Sequence, residues 1–254
     1  MINTGRCLER IGYDGPAEPG IETLRALQLA FLYAIPFENL DIHLGTRITL
    51  SSDAIFEKIV QRGRGGVCFE LNILFSDLLK TLGFRVHLLS ARIVRSGSTG
   101  PEFDHMVLRI SLDHDYLVDV GNGHFCREPL RIDGSATAAA EGYVYRAGVS
   151  DGTFALYRSL PGKAWVPRLL FSTTPRLQAD FEPMNVYHQT AAESDFKRRR
   201  LITIATKGGR VSLIDRHLVL FDGSRKRSRE LESEDEYRAC LKQYFSIEFP
   251  KWKE

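Results

Sequence analysis

The chain has 254 residues, with 34 Lys and Arg against 32 Asp and Glu. A net charge of +2 leaves no basic footprint for nucleic acid, which sets that partner aside. The four cysteines, Cys7, Cys68, Cys126 and Cys240, are scattered with no C-x-x-C pair, which argues against a zinc site or a disulfide framework. No apolar run approaches membrane-spanning length. Met1 to Arg6 lacks the basic and apolar regions expected of a signal peptide, and the scattered cysteines make a reducing cytoplasm the expected location.

The first third reads helical. Ile21 to Tyr33 carries Leu24, Leu27, Phe31 and Leu32, and Pro36 then fixes a turn over Ile35 to Leu40. Ser51 or Ser52 caps a second helix with Ile55, Phe56, Ile59 and Val60 on one face, ending at Gly63. Phe69 to Leu82 reads as an amphipathic helix, with Leu71, Leu74, Phe75, Leu78, Leu79 and Leu82 at three- and four-residue steps.

From Phe84 the period shortens to that of strands. Arg85 to Val94 is a strand, and Ser96 to Pro101 is a loop by composition. His105 to Ile110 and Tyr116 to Gly121 form a hairpin about Asp113 to Asp115. Gly142 to Gly148, Thr153 to Ser159 and Ala164 to Ser172 add strands, and their regular spacing points to a barrel or strongly curved sheet. The last third mixes types. Asp180 to Ala192 is helical with Pro183 in its first turn, and Leu201 to Thr206 with Arg210 to Ile214 is a hairpin. His217 to Phe221 is a strand, Gly223 to Arg229 a basic surface loop, and Glu232 to Phe245 a closing helix. The expected class is α+β in three parts: a helical bundle over 1–83, a β-barrel over 84–179 and an α/β lid over 180–254.

Cys68 follows the glycine-rich turn Arg62 to Gly66 and stands at or near a helix N-terminus, where unpaired N–H groups and the dipole favour a thiolate. Gly65 and Gly66 leave room for backbone or substrate beside the sulfur. A buried apolar filler is the competing reading of Cys68 on this context alone. A thiol nucleophile needs a base and an orienting acceptor. There are seven histidines: His43, His87, His105, His114, His124, His188 and His217. His105 and Asp119 fall opposite or nearly opposite each other on the hairpin, a relation also common in surface pairs. Ser98-Thr99-Gly100, just before the His105 strand, offers backbone N–H groups for phosphates, and Lys197 to Arg200 is a basic run that reads as a solvated segment.

Arg64-Gly65-Gly66-Val67-Cys68-Phe69-Glu70-Leu71-Asn72 resembles the signature of the arylamine N-acetyltransferases. Ile35 to Leu40, His105-Met106 and Val118-Asp119-Val120-Gly121 resemble further pieces of that family, in the same order and spacing. The resemblance implies a Cys68–His105–Asp119 triad and a ping-pong transfer of acetyl from acetyl-CoA, without a metal. The acceptor would be an arylamine, arylhydrazine or arylhydroxylamine, and the enzyme a monomer or homodimer. It implies a structural Arg64–Glu38 pair. Ser98, Thr99 and Gly100 are the expected CoA contacts. Phe37, Val67 and Phe69 are expected at the acceptor, although Phe37 and Phe69 read equally as core. The family has Gly-Phe-Gly after the aspartate where this chain has Gly121-Asn122-Gly123, so Asn122 is expected to reshape the acceptor pocket. Competing readings are an amide synthase of the same family, a Cys hydrolase of papain or transglutaminase type, and an inactive binding homologue.

Overall fold

The computed structural model describes residues 2–95, 97–123, 126–150 and 152–248. Ser96 and His124 therefore lie outside the described residues. The chain opens on α1 (Thr4–Ile11), too short to show a long apolar period. The Asn3 side chain accepts the Arg6 N–H at 3.0 Å, and Gly12 closes the helix at φ 63°. α2 (Ile21–Ala34) buries Leu24, Leu27 and Phe31.

The next segment differs from expectation. Ile35 to Leu40 is not only a turn: Phe37–Glu38 form β1. The Glu38 N–H donates to the Gly66 carbonyl at 2.9 Å, which ties this strand to the cysteine loop. α3 (Leu40–Leu44) follows, then α4 (Ser52–Phe56), which is capped by Ser51 and continues through one π turn at Glu57–Gln61.

α5 (Cys68–Thr81) is the central element. It reads as amphipathic from its leucines, yet Glu70, Asn72 and Ser76 are buried as well. A helix enclosed on nearly all sides must satisfy such polar groups internally. That requirement builds the site.

A nine-stranded sheet wraps over one end of α5. Its strands are β2 (Arg85–Arg95), β3 (Ser98–Thr99), β4 (His105–Ser111), β5 (Asp115–Val118), β6 (Leu130–Arg131), β7 (Ala138–Ala140), β8 (Tyr143–Ser150), β9 (Thr153–Ser159) and β10 (Val166–Arg176). The order is β6-β5-β4-β2-β10-β9-β8-β7, with β3 pairing β2. The sheet curls until β6 approaches β8, a nearly closed barrel with its own apolar filling of Leu89, Val107, Leu117, Tyr145 and Leu169.

The last part begins with a 3-10 turn at Gln178–Phe181, then α6 (Glu182–Thr190) with Pro183 in its first turn, and α7 (Asp195–Arg198). β11 (Leu201–Ala205), β12 (Arg210–Ile214), β13 (His217–Phe221) and β14 (Lys226–Glu230) form a second sheet in the order β1-β11-β12-β13-β14. α8 (Glu234–Phe245) packs on it through Tyr237, Leu241 and Phe245. The expected Gly223–Arg229 loop is thus largely strand. Every side chain of β14 is exposed, so its composition reads as surface while its backbone pairs with β13. β1 donates a strand from the helical part to this sheet, with Phe37 opposite Thr203 and Glu38 opposite Ile202.

Candidate active site

Cys68 is the first residue of α5 and is 2 % exposed. The Glu70 carboxylate accepts the Val67 N–H at 2.9 Å and so fixes the start of the helix. Gly66 makes this possible: a Cβ there would fall 2.9 Å from Glu70 Oε2. Gly65 likewise has no room for one, because the Pro36 carbonyl would lie 2.1 Å away. Both glycines therefore serve the packing of the loop against β1 and α5, which corrects the expectation that they open access to the sulfur.

The β4–β5 hairpin delivers the other two groups. Leu108 pairs with Val118, so three residues back His105 falls level with Gly121 and diagonal to Asp119. His105 Nε2 and Asp119 Oδ2 are 2.7 Å apart, with both residues buried. The His105 ring also hydrogen-bonds the Cys68 side chain. With Nε2 on Asp119, Nδ1 is the ring nitrogen left for the sulfur. Burial by itself lowers the basicity of His105. The Asp119 charge and hydrogen bond, with the Cys68 contact, outweigh it and raise the ring to about 10. Burial instead pushes the thiols of Cys7 and Cys126 up to about 12 and raises that of Cys240. All four cysteines are free and buried.

Asn72 joins these groups, and no role for it follows from the motif. It sits one turn after Cys68, fully buried. Its Nδ2 donates to the Cys68 carbonyl at 3.2 Å, the Met106 carbonyl at 2.9 Å and Asp119 Oδ1 at 3.1 Å. Its Oδ1 accepts the Val120 N–H at 3.2 Å. One amide thus binds α5 to both strands of the hairpin. Gly121 completes the fit. Its N–H donates to Asp119 Oδ1 at 2.8 Å, and a Cβ on it would lie 2.7 Å from the Cys68 Cα. The signal available in the sequence was the i, i+4 spacing of Asn72 from Cys68.

Beneath Cys68 lies a second polar cluster. Arg64 donates to Glu38 Oε1 through Nε at 3.0 Å and Nη2 at 2.7 Å, and to Asp41 at 2.9 Å. Lys58 bridges Asp41 at 2.8 Å and Glu70 at 2.9 Å. Burial alone raises Asp41, but the Lys58 and Arg64 charges reverse this and hold its carboxyl below the usual range. The Arg64–Glu38 pair is thus part of a five-residue ionic network under the cysteine loop.

A cavity of 260 Å³ opens on Cys68 and His105. Phe37, Phe196 and Leu201 give it an apolar side, and Asn122 lies on its wall between Gly121 and Gly123. Val67 and Phe69 do not line it. Phe69, one step of about 100° around the helix from Cys68, is fully buried and its ring packs on Phe181 and on His188 from behind. The Phe196 wall is held by Asn39. Its Nδ2 donates to the Phe196 and Arg199 carbonyls at 2.9 and 2.7 Å, and its Oδ1 accepts the Leu201 N–H at 2.7 Å. Ser98 and Thr99 form the exposed β3 arm, away from the cavity lining. The Gly100 N–H is committed to the Ile93 carbonyl at 2.8 Å, so that donor of the expected cradle is already engaged. Arg95, His188 and Asp104 line the cavity instead. Among the described residues no cluster of His, Cys, Asp and Glu is arranged to hold a metal ion, and no helix is long and apolar enough to cross a membrane.

The N-acetyltransferase family profile matches residues 20–253. The arylamine N-acetyltransferase of Mycolicibacterium smegmatis is 35 % identical over 227 residues, covering 86 % of this chain and 82 % of that protein. Proansamycin X synthase of Amycolatopsis mediterranei is 30 % identical over 248 residues, covering 94 % and 95 %. The structure of Mycobacterium marinum arylamine N-acetyltransferase in complex with CoA superposes with a TM-score of 0.88 at 29 % identity, covering 96 % and 93 %. With its helix-borne Cys68, barrel hairpin and second sheet, the chain belongs to the arylamine N-acetyltransferase family.

Proposed function

We propose that this protein transfers an acetyl group from acetyl-CoA to an arylamine, arylhydrazine or arylhydroxylamine through an acetyl-Cys68 intermediate. The observation that carries this reading is the buried Cys68–His105–Asp119 relay opening on a cavity with an aromatic wall. The family membership supplies the acyl donor, since a relative is known in complex with CoA. The protein acts as a monomer or homodimer in the cytoplasm. The helical part (1–83) brings the nucleophile, the barrel (84–179) the base and orienter, and the α/β part (180–254) the opposite wall.

The steps follow from the groups present. The Cys68 thiolate attacks the thioester carbonyl while His105 holds a proton and Asp119 holds the imidazolium. First-turn N–H groups of α5, which have no carbonyl one turn back to bind, stabilise the oxyanion. The C–S bond to CoA breaks, and the departing thiolate takes the proton from His105. The amine then attacks the acetyl-Cys68 carbonyl, His105 takes the N–H proton, and the Cys68 thiolate leaves. The thiolate–imidazolium pair is thereby restored. Burial of Cys68 protects the acyl-enzyme from water between the two halves.

Intact-mass measurement tests the reading. Acetyl-CoA alone is expected to add one acetyl mass to the wild type and none to Cys68→Ser. A wild type that stays unacetylated in excess acetyl-CoA at neutral pH ends the transferase reading. An amide synthase reading is favoured by one observation, the end-to-end match to a synthase. A wild type that acetylates Cys68 but transfers to no simple arylamine or hydrazine would select it.

A further inference from the structure

Asp104 precedes His105 and lines the same cavity, with a side chain 8 % exposed. Its Oδ2 is sealed from solvent and has no hydrogen-bond partner among the described residues. The charged groups around it stand off. Arg95 Nη1 is 3.7 Å from Oδ2, and His188 Nε2 is 3.8 Å from Oδ1. His188 itself turns to the Asp104 carbonyl at 3.3 Å. Burial holds the His188 ring below its ordinary basicity, against the pull of Asp104, so it brings no fixed positive charge. Arg95 is half exposed at the mouth and is shared with Asp195 at 3.7 Å. A buried carboxylate is normally saturated with donors, because removing its charge from water is costly. This one is not.

The setting of the carboxylate is fixed by its neighbours. Phe103, just before it, has a left-handed backbone at φ 64°, and its ring is packed on Phe181 with Arg176 above it. A Cβ on Gly100 would fall 2.2 Å from Asp104 Oδ2, so only glycine there leaves the carboxylate its place. Glu193 and Asp195 line the opposite lip of the cavity. Apart from the Cys68–His105 pair, three carboxylates outnumber the one guanidinium around a pocket whose other side is Phe37, Phe196 and Leu201.

Building on the acetyltransfer proposed above, we propose that Asp104 is an acceptor-binding residue and that the preferred acceptor carries a second, cationic hydrogen-bonding group besides its nucleophilic nitrogen. The flat apolar body of such an acceptor lies against the Phe37 and Phe196 side, and its cationic end donates to Asp104 Oδ1, the oxygen of this carboxylate that is not sealed from solvent. Planar cations of the amidinium type suit this site, because an N–H group meets the open Oδ1 while the delocalised charge offsets the carboxylate as a whole. Acceptors bearing a carboxylate are disfavoured by the same charges.

Three isosteric anilines test this: 4-aminobenzamidine, 4-aminobenzamide and 4-aminobenzoate, cationic, neutral and anionic at one position. The readout is kcat/KM for each acceptor with wild type and Asp104→Asn, with acetyl-CoA as donor. Substituent effects on aniline reactivity are common to both proteins, so the amidine-to-amide ratio in one divided by that in the other isolates Asp104. This quotient is expected to favour the wild type by about tenfold or more, and to shrink at high salt. A quotient near one overturns the proposal. Wild-type inhibition of acetyl transfer by benzamidine against benzamide keeps the test independent of how the variant folds. Benzamidine is expected to be the stronger inhibitor, and equal inhibition again overturns the proposal. Acetylation of Cys68 by acetyl-CoA without any amine, followed by mass, separates the two levels. If Cys68 acetylates and the charge preference is missing, only the role of Asp104 falls; if Cys68 does not acetylate, the acetyltransfer reading falls first and takes this one with it.

Discussion

Asp104 and Asp119 lie on either side of His105, 9 % and 7 % exposed. Their surroundings could hardly differ more. Asp119 receives His105 at 2.7 Å, Gly121 at 2.8 Å and Asn72 at 3.1 Å. Among the described residues the Asp104 carboxylate has only ion pairs at 3.7 and 3.8 Å. A saturated carboxylate is finished within the chain: its orientation is set before any substrate arrives, which is what a group that steers a catalytic histidine requires. Under the proposal made here, Asp104 is left with an open oxygen, Oδ1, for the acceptor to meet. The same residue type at equal burial thus takes opposite roles, and the difference lies in the donors supplied.

The largest effect expected from breaking this contrast is at Asp119. Asp119→Asn keeps the shape but removes the charge that holds the imidazolium, and the rate of Cys68 acetylation is expected to fall about 10³- to 10⁴-fold. Stopped acetylation time courses followed by mass would show it, and a loss of only a few-fold would remove Asp119 from the relay. Asn72→Ala comes next. It strips one donor from Asp119 and leaves the Val120 N–H buried without its acceptor. The expected cost is about 1–3 kcal/mol in urea unfolding, with acetylation slowed about 100-fold through misplacement. Unfolding and rate both at wild-type levels would contradict the role given to this amide. Gly100→Ala sharpens the contrast from the other side. It displaces Asp104 and not Asp119, so acceptor KM is expected to rise several-fold, about the loss of one hydrogen bond, while single-turnover acetylation of Cys68 changes little. An equal loss in both half-reactions would mean that the Gly100 turn supports the whole site.

The pH dependence has a defined sign. The His105 ring is raised from 6.5 to about 10 in the fold. The stability it contributes is fully present below pH 6.5 and is lost as pH rises through about 10. Urea midpoints measured across that window are expected to fall toward the alkaline end, and to fall less in His105→Gln. A variant with an unchanged alkaline slope would break the link to His105.

The motif around Cys68 and the order of helices, strands and mixed elements were legible because each rests on local pattern. So was the His105–Asp119 partnership, since a hairpin register is a short-range relation. What was not legible depends on contacts across the chain. The placement of Phe69 behind His188 follows from the rotation of α5 once it is buried on all sides. β1 looked like a proline turn because its pairing partner, β11, lies more than 160 residues away in sequence. The Gly100 N–H looked available for phosphate until Ile93 was found to accept it. Asp104, beside a recognised histidine, carries no sequence signal at all, since its distinction is that the donors near it stand beyond hydrogen-bond distance.

Asn39 has a consequence for timing. One side chain holds three backbone groups of the 196–201 segment, and that segment is the wall facing the sulfur. An acyl-enzyme lives on a kinetic competition between an amine that must enter and water that must not. With Asn39 in place the wall is pinned at both ends of its turn, and the proposed acetyl-Cys68 thioester is expected to persist. With Asn39→Ala the wall is free to swing, and the acetyl group should leak as acetate before any amine arrives.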